Sequence, residues 1–131
     1  MEEKYYYKWE ELEQDIDKLA SQVKLKPEFV LGIARGGLVP AVMLSHKLKV
    51  PFKSTIWQYR DGEARERIWV PDHTLIVDDI NDSGDTFCEV TKGITTKHQT
   101  MSLWTRKNSK FNVDYSARLC YNEWIVFPWE V

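Results

Sequence analysis

Apolar residues near the start of the chain recur with the period of a helix. The positions are Trp9, Leu12, Ile16, Leu19, Ala20 and Val23, and the residues between them are mostly charged or polar. Because residues three and four apart lie on one face of a helix, this spacing predicts an amphipathic helix. Pro27 follows and predicts that the helix has ended before it.

Continuous apolar runs are the second pattern. Runs at 29–34 and 74–77 lack the alternation of a half-exposed strand and predict strands buried in a parallel sheet, and 98–104 predicts a further strand. Helical patterns separate these runs at 38–48 and from the 83–86 loop to about Thr96. Alternating strands and helices favour the α/β class: one domain over residues 1–131 with a central, mainly parallel sheet flanked by helices.

Two other segments are less regular. Residues 52–59 alternate apolar and polar side chains and predict an extended piece, whereas 60–67 are charged and contain one glycine. That charged segment fits either a mobile loop or a twisted hairpin. The tail at 123–130 is aromatic and apolar, although chain ends are usually poorly ordered, so we expect the fold to hold it.

Composition excludes several function classes. The chain has 131 residues, 43% of them hydrophobic and 29% charged, and a net charge of −2, which is ordinary globular usage and does not favour general nucleic-acid binding. No apolar window is long enough for a bilayer, and the polar start is unlike a secretory signal, so we expect a cytoplasmic protein without a membrane partner. Cys88 and Cys120 lack metal-ligand spacing and are expected to be reduced thiols.

The candidate chemistry is concentrated after the run at 74–77. Two acids, Asp78 and Asp79, follow it, and the small polar segment at 82–86 comes next. Ionised carboxylates accept hydrogen bonds from sugar hydroxyls and coordinate hydrated Mg²⁺. A loop of small residues at a helix start offers backbone N–H groups to a phosphate. The segment therefore predicts a site for a phosphorylated sugar, although strands of receiver domains and nucleotide hydrolases also end in paired acids.

With its continuation, the segment resembles the signature of the phosphoribosyltransferases, which use phosphoribosyl pyrophosphate (PRPP). The resemblance implies that Asp78 and Asp79 contact the ribose hydroxyls and that the loop after them wraps the 5-phosphate. It also implies a Mg²⁺ cofactor, with Asp79 as the protein ligand of the metal, and a small hood formed by the C-terminal tail. The PRPP-binding residues implied in the loop are Asp82, Ser83, Gly84, Asp85 and Thr86.

A second candidate loop, Arg35-Gly36-Gly37, ends the run at 29–34. Its glycines permit close backbone approach and Arg35 adds a cation, so a pyrophosphate loop and a plain sharp turn both fit. In the phosphoribosyltransferases such a loop binds pyrophosphate, often through a strained peptide before the Arg, here Ala34–Arg35. Resemblance also puts a pyrophosphate-contacting Arg at Arg65. Arg60 and Arg67 are the alternatives in the charged segment, which is otherwise a solvated loop.

Three stretches together resemble the bacterial xanthine-guanine type: 4–21, 35–40 and 123–130. The resemblance implies that Trp124 stacks on the purine, that Ile125 contacts it through main chain, and that Asp82 is the catalytic proton acceptor near purine N7. The family usually reads the purine 6-oxo group with a Lys in an Ala-Lys-Pro or Tyr-Lys-Pro run. The corresponding stretch here, 103–108, has no proline, and either Arg106 or Lys107 fits. Arg106 has the better spacing.

The expected function is therefore transfer of the 5-phosphoribosyl group from PRPP to guanine, xanthine or hypoxanthine, giving a nucleoside 5-monophosphate and pyrophosphate. A transferase for another base and a non-catalytic PRPP- or nucleotide-binding regulator are the alternatives. Six tryptophans and six tyrosines are many for this length and are typical of subunit interfaces. Together with the family resemblance, they favour a homodimer or homotetramer.

Overall fold

The structure, a computed structural model, describes residues 3–56, 59–60, 63–64 and 70–130. Nine strands and three helices lie in these ranges. In chain order they are β1 (Lys4–Tyr6), α1 (Trp9–Gln22), β2 (Phe29–Ala34), α2 (Leu38–Leu48), β3 (Phe52–Ile56), β4 (Tyr59–Arg60), β5 (Glu63–Ala64), β6 (Thr74–Asn81), α3 (Asp85–Thr91), β7 (His98–Arg106), β8 (Tyr115–Cys120) and β9 (Trp124–Val126).

Five strands form one parallel sheet in the order β3-β2-β6-β7-β8. Strands β2 and β6 are central, which explains why their sequences are continuously apolar: both faces are covered. Because all strands run the same way, their carboxyl ends meet at one edge of the sheet, where ligands of open α/β folds bind. The predicted α/β class and parallel sheet are confirmed.

Alternate side chains of the central strands enter two separate cores. Val30 and Leu75 pack with the apolar faces of α1 and α2, whereas Leu31 and Ile76 pack with Phe87 of α3. Burying each such side chain stabilises the fold by about 1.5–3 kcal/mol. The amphipathic pattern at 9–23 thus marks α1 correctly, and its buried residues are those at helical spacing.

Element ends differ from the predictions at two places. Helix α3 ends at Thr91 and not near Thr96, and Gly93 just beyond it has a φ of 79°, a left-handed conformation that ends helices. Strand β6 continues to Asn81, so Asp78 and Asp79 lie within the strand and not after it.

Three strands were not predicted at all. Strand β8 follows β7 through residues 107–114, which contain no helix, although parallel neighbours are usually joined by one. Strands β1 and β9 pair in parallel and form a two-stranded ribbon apart from the main sheet. The aromatic tail is therefore held by the start of the chain; the hood over a substrate stays a prediction.

Strands β4 and β5 pair in antiparallel fashion, so for these residues the hairpin alternative is correct. Arg65 and Arg67 lie outside the described residues. Both cysteines are free thiols, with Cys120 buried, and burial raises the pKa of Cys120. None of the described helices has the length and apolar character needed to cross a membrane.

Candidate active site

The paired acids of β6 are both largely withdrawn from solvent. Asp78 Oδ1 accepts the Asp79 N–H at 2.8 Å, and Asp79 Oδ1 accepts the Ile80 N–H at 2.7 Å. Burial raises the pKa of Asp78 well above its usual range, and the neighbouring Asp79 carboxylate raises it further. Burial likewise raises the pKa of Asp79. Two adjacent buried acids favour a bound partner that donates hydrogen bonds or positive charge.

The Arg35-Gly36-Gly37 loop lies directly against these acids. A side-chain carbon at Gly36 would collide with the Asp79 carboxylate, and one at Gly37 would lie 2.5 Å from the Val77 carbonyl oxygen. The glycines therefore permit the close approach of this loop to β6. The peptide bond between Ala34 and Arg35 is cis, at the position where the resemblance implied an unusual peptide, and Arg35 is exposed.

The loop after β6 borders an open cleft of about 230 Å³ lined by residues 78–87. Asp82, Ser83 and Asp85 are exposed along it, so packing does not occlude the predicted anion site. Gly84 has a φ of 94°, a conformation that favours glycine, and a side-chain carbon there would lie 2.8 Å from the Phe111 nitrogen. The cleft has room for an anion beside the loop.

Residues 109–111 hold this loop, and the sequence analysis did not identify them. The buried Asn81 amide donates to the Phe111 carbonyl at 2.7 Å and accepts from the Ser109 hydroxyl at 2.9 Å. The Lys110 N–H donates to the Ser83 carbonyl at 3.0 Å, and the Lys110 ammonium pairs with Asp85. That pair lowers the pKa of Asp85. No local signal marks 109–111, because their role depends on contacts with a strand about thirty residues earlier.

A second, larger cleft of about 800 Å³ adjoins the first at Asp82. Its lining residues are Glu3, Asp82, Arg106, Tyr121, Asn122, Glu123 and Trp124. Arg106 donates from Nε to Asp82 Oδ1 at 2.5 Å, and from Nη1 to the carbonyls of Tyr121 and Glu123 at 2.8 and 2.9 Å. The predicted proton acceptor, the predicted purine reader and the predicted stacking residue therefore border one cavity.

The tail residues predicted to bind purine have different environments. The Trp124 side chain is 50% exposed and lines the larger cleft, whereas the Ile125 side chain is 4% exposed and packs in the core. The buried Ile125 side chain is therefore not available to a ligand, and the main-chain contact that the resemblance implied stays a prediction. Arg65, which belongs to the same predicted set, lies outside the described residues.

Among the described residues, no group of three or more His, Cys, Asp or Glu side chains is arranged to hold a metal. The donor set nevertheless fits Mg²⁺, which is typically bound through one or two carboxylates together with substrate oxygens and water. Asp78 and Asp79 are hard oxygen donors at the edge of the smaller cleft and would be the residues to hold the ion.

The fold and this arrangement of loops define a known class: the chain belongs to the phosphoribosyl transferase domain family, whose sequence model matches residues 3–131. It is similar to the xanthine-guanine phosphoribosyltransferase of Desulfotalea psychrophila, with 28% identity in an alignment that covers 96% of this chain and 86% of that protein. The predicted resemblance is confirmed at the level of the family.

Solved structures agree with this assignment. The purine phosphoribosyltransferase from Pyrococcus horikoshii Ot3 is 32% identical, with a TM-score of 0.81 over 98% of this chain and 95% of that one. The Helicobacter pylori xanthine-guanine-hypoxanthine phosphoribosyltransferase superposes with a TM-score of 0.86 at 23% identity, over 100% of this chain and 95% of that one, and supports the fold.

Proposed function

We propose that this protein transfers the 5-phosphoribosyl group from PRPP to a 6-oxopurine, giving a purine nucleoside 5-monophosphate and pyrophosphate. One observation carries the proposal: Asp82 lines both the small cleft beside the acids of β6 and the large cleft that contains Trp124. A sugar phosphate in the first cleft and a planar base in the second would therefore meet at this carboxylate. Two relatives are named as a xanthine-guanine and a purine phosphoribosyltransferase, and a purine substrate agrees with that arrangement.

In the proposed reaction, a purine nitrogen forms a bond to the anomeric carbon of the ribose while the bond from that carbon to the pyrophosphate oxygen breaks. Positive charge develops on the sugar and negative charge on the leaving group, so preorganised charges and dipoles serve the reaction better than a covalent nucleophile. Asp82 accepts the proton that the purine loses near N7. A positioned carboxylate in this role typically contributes about 10²–10⁴-fold to the rate.

The PRPP side of the site consists of two loops and the acids between them. Asp78 and Asp79 would accept hydrogen bonds from the ribose hydroxyls, and the backbone of 82–86 would donate to the 5-phosphate. The loop at 35–37 lies beside Asp79 and would bind pyrophosphate, with Arg35 as its cation. Arg65, or its alternatives Arg60 and Arg67, stays a prediction for a further pyrophosphate contact.

Asp79, assisted by Asp78, is the proposed protein ligand for Mg²⁺. When bound, the cation would neutralise part of the charge on the pyrophosphate and make it a better leaving group. Its positive charge would also favour the ionised forms of the two acids, whose pKa burial raises in the absence of ligand.

The purine side is proposed to use stacking and a cation. Trp124 offers an exposed aromatic face, and base–aromatic stacking is typically worth about 1–3 kcal/mol. The three hydrogen bonds of Arg106 engage Nε and Nη1, and its Nη2 group carries two more N–H donors. Those donors suit the 6-oxo group of guanine, xanthine or hypoxanthine, whereas adenine presents an amino group there.

The test is an assay of purified protein with PRPP, Mg²⁺ and each of guanine, xanthine, hypoxanthine, adenine, uracil and orotate. We expect nucleotide with the 6-oxopurines and none with the other bases. Product with uracil, orotate or adenine and with none of the 6-oxopurines would show a phosphoribosyltransferase for another base. PRPP binding measured by calorimetry, with no product from any base, would leave a binding protein and reject the enzyme.

Two further expectations accompany the proposed function. We propose a homodimer or homotetramer, because large aromatic side chains such as Tyr6 and Trp9 are exposed, at 64% and 47%. A cytoplasmic location is proposed as well, on the sequence pattern described above. Light scattering coupled to size-exclusion chromatography measures the oligomer, and a monomer at micromolar concentration would contradict it.

A further inference from the structure

Within the part of the chain that the structure describes, the strand that carries Trp124 pairs with β1 and with no strand of the main sheet. Lys4 lies opposite Trp124, and Tyr6 lies opposite Val126. The Trp124 N–H donates to the Glu3 carbonyl at 2.7 Å. The orientation of Trp124 therefore depends on what holds β1 in place.

Two tyrosines fasten β1 and the residue after it to helix α1. The Tyr5 hydroxyl donates to Glu11, and the Tyr7 hydroxyl donates to Asp15, which is 7% exposed. Glu11 and Asp15 are four residues apart and thus lie on the same face of the helix. Burial, and then the hydrogen bond to Asp15, raise the pKa of Tyr7 far above its ordinary value, so its hydroxyl stays a donor.

Arg118 of β8 joins this cluster to the main sheet. Its Nε donates to Asp15 Oδ2 at 2.7 Å, and its Nη1 lies 3.1 Å from Glu11 Oε2. Nη1 also donates to the Tyr5 hydroxyl at 3.4 Å, and the guanidinium lies 5.4 Å from the centre of the Tyr7 ring. A single cation thus contacts the carboxylates of Glu11 and Asp15 and both tyrosines.

The carboxylates of this cluster depend on Arg118 for charge compensation. Glu11 and Asp15 are two carboxylates that face one guanidinium. Removing one partner from a partly buried ion pair is costly, because the remaining charge is left uncompensated. Loss of Arg118 would also remove the cation that lies over the Tyr7 and Trp104 rings. Strand β1 would lose its charged contact with β8 and the cation that orients Glu11 and Asp15 toward the two tyrosines, whereas the hydrogen bonds of β6 would be untouched.

We propose that Arg118 is a positioning residue for the purine, which acts through Tyr5 and Tyr7 on β1 and thereby on Trp124. The inference rests on the proposed function, in which Trp124 stacks on the base. Arg118 is not among the residues that line the larger cleft. Its effect on the base is therefore indirect, and PRPP should be unaffected, because the proposed PRPP ligands are on β6 and in the loops after β2 and β6.

The kinetic test compares Arg118→Met and Arg118→Lys with a matched control, Asp17→Asn. Asp17 is on the same helix in an exposed pair with Lys47 at 2.8 Å. With purine and PRPP varied separately, we expect Arg118→Met to raise the KM for purine by about tenfold or more and to change kcat and the KM for PRPP by less than about twofold. Arg118→Lys restores the cation and part of the affinity, and the control behaves as the unaltered protein.

An unchanged purine KM in folded Arg118→Met overturns the inference, as do equal rises in the KM values of both substrates. Should Arg118→Met fail to fold, Tyr5→Phe tests the same link, because it removes the hydroxyl that contacts Glu11 and Arg118 and keeps the ring. We expect a smaller rise in the purine KM from Tyr5→Phe, again without a change for PRPP, and no rise there overturns the inference as well.

Hydrogen exchange of the ligand-free protein separates this inference from the proposed function. In Arg118→Met the amides of Tyr7 and Trp124, which bond across the ribbon, should exchange about tenfold faster, while those of Thr74–Val77 stay unchanged. Unchanged exchange at Trp124 overturns the inference whatever the activity. Unaltered protein that makes no nucleotide with any purine defeats the proposed function, and the exchange rates still decide whether Arg118 holds β9.

Discussion

Arg106 donates its Nε–H to Asp82 Oδ1 across 2.5 Å, and this bond connects the junction of the two clefts to the turn before Trp124. The same guanidinium holds the carbonyls at both ends of residues 121–123. The position of Asp82 is consequently coupled to the shape of the cavity proposed for the base. A charge-assisted hydrogen bond of this kind is stronger than a neutral one and also fixes orientation.

Asp82→Asn tests the proton acceptor. The amide has nearly the same shape but cannot take a proton, so we expect kcat to fall by about 10²-fold or more. PRPP affinity, measured by titration calorimetry, should be largely kept, because the paired acids of β6 and the loop at 83–86 remain. Unchanged turnover would remove Asp82 from the catalytic role.

Arg106→Met and Lys107→Met decide which cation reads the purine. Arg106 lines the larger cleft, whereas the Lys107 ammonium lies 5.2 Å from the centre of the Tyr121 ring. We expect the KM for guanine to rise at least tenfold, about 1.4 kcal/mol, in Arg106→Met and to change little in Lys107→Met. The opposite result in steady-state assays would assign the reading to Lys107.

Gly36→Ala tests the close approach of the second loop to β6. The added methyl group meets the Asp79 carboxylate, so we expect a lower affinity for PRPP with Mg²⁺, measured by calorimetry. Gly93→Ala is the control for adding a methyl group at a glycine away from the site. Gly93 has a φ of 79°, which costs an L-residue roughly 1–2 kcal/mol of stability, but nothing lies within 4 Å of the added carbon. We therefore expect Gly93→Ala to bind PRPP normally. A variant at Gly36 that binds PRPP normally would contradict the proposed site.

Asp78→Asn is expected to stabilise the ligand-free protein at neutral pH. Burial raises the pKa of Asp78 above its unfolded value of 3.8. The contribution of the protonated carboxyl to the free energy of unfolding is therefore fully present below pH 3.8. It is lost as the pH rises through the pKa of the folded state. At pH 7.5 the variant has no charge at this position and should have a higher melting temperature. The increase should be roughly 4 °C for each kcal/mol gained in the free energy of unfolding.

Measurement of the same variant at low pH is the control. Near pH 3 both proteins are neutral at this position, and the difference in melting temperature should vanish. Added Mg²⁺ and PRPP should raise the melting temperature of the unaltered protein more than that of Asp78→Asn, because the variant has lost an ionic contact. An Asp78→Asn protein that melts lower at pH 7.5 and equally at pH 3 would contradict the prediction.

Much of the site follows from the sequence, because its signals are local. A strand buried on both faces is continuously apolar in any context, and Gly36, Gly37 and Gly84 occupy positions where a side-chain carbon would collide with other atoms. Asp78 and Asp79 follow the apolar run directly, so their place at the carboxyl edge of the sheet was predictable. The family resemblance added roles that no spacing rule supplies.

Other features depended on residues far apart in the chain. Strand β8 alternates weakly and is defined by its pairing with β7, and β1 exists as a strand because β9 lies beside it. The contact between Arg118 and Asp15 joins residues 103 positions apart, and no local pattern marks either of them.

Neighbouring residues along the chain specify the α/β class, the central strands, α1, the acidic strand β6 and the glycine-containing loops after β2 and β6, so these features were predictable from the amino-acid pattern. Three relationships required the folded chain: Asp82 lies between two clefts, Arg106 joins Asp82 to the turn before Trp124, and the start of the chain holds the tail. The packing of the two cores brings these side chains and strands together. Because each contact involves residues from distant segments, no local pattern in the sequence specifies it.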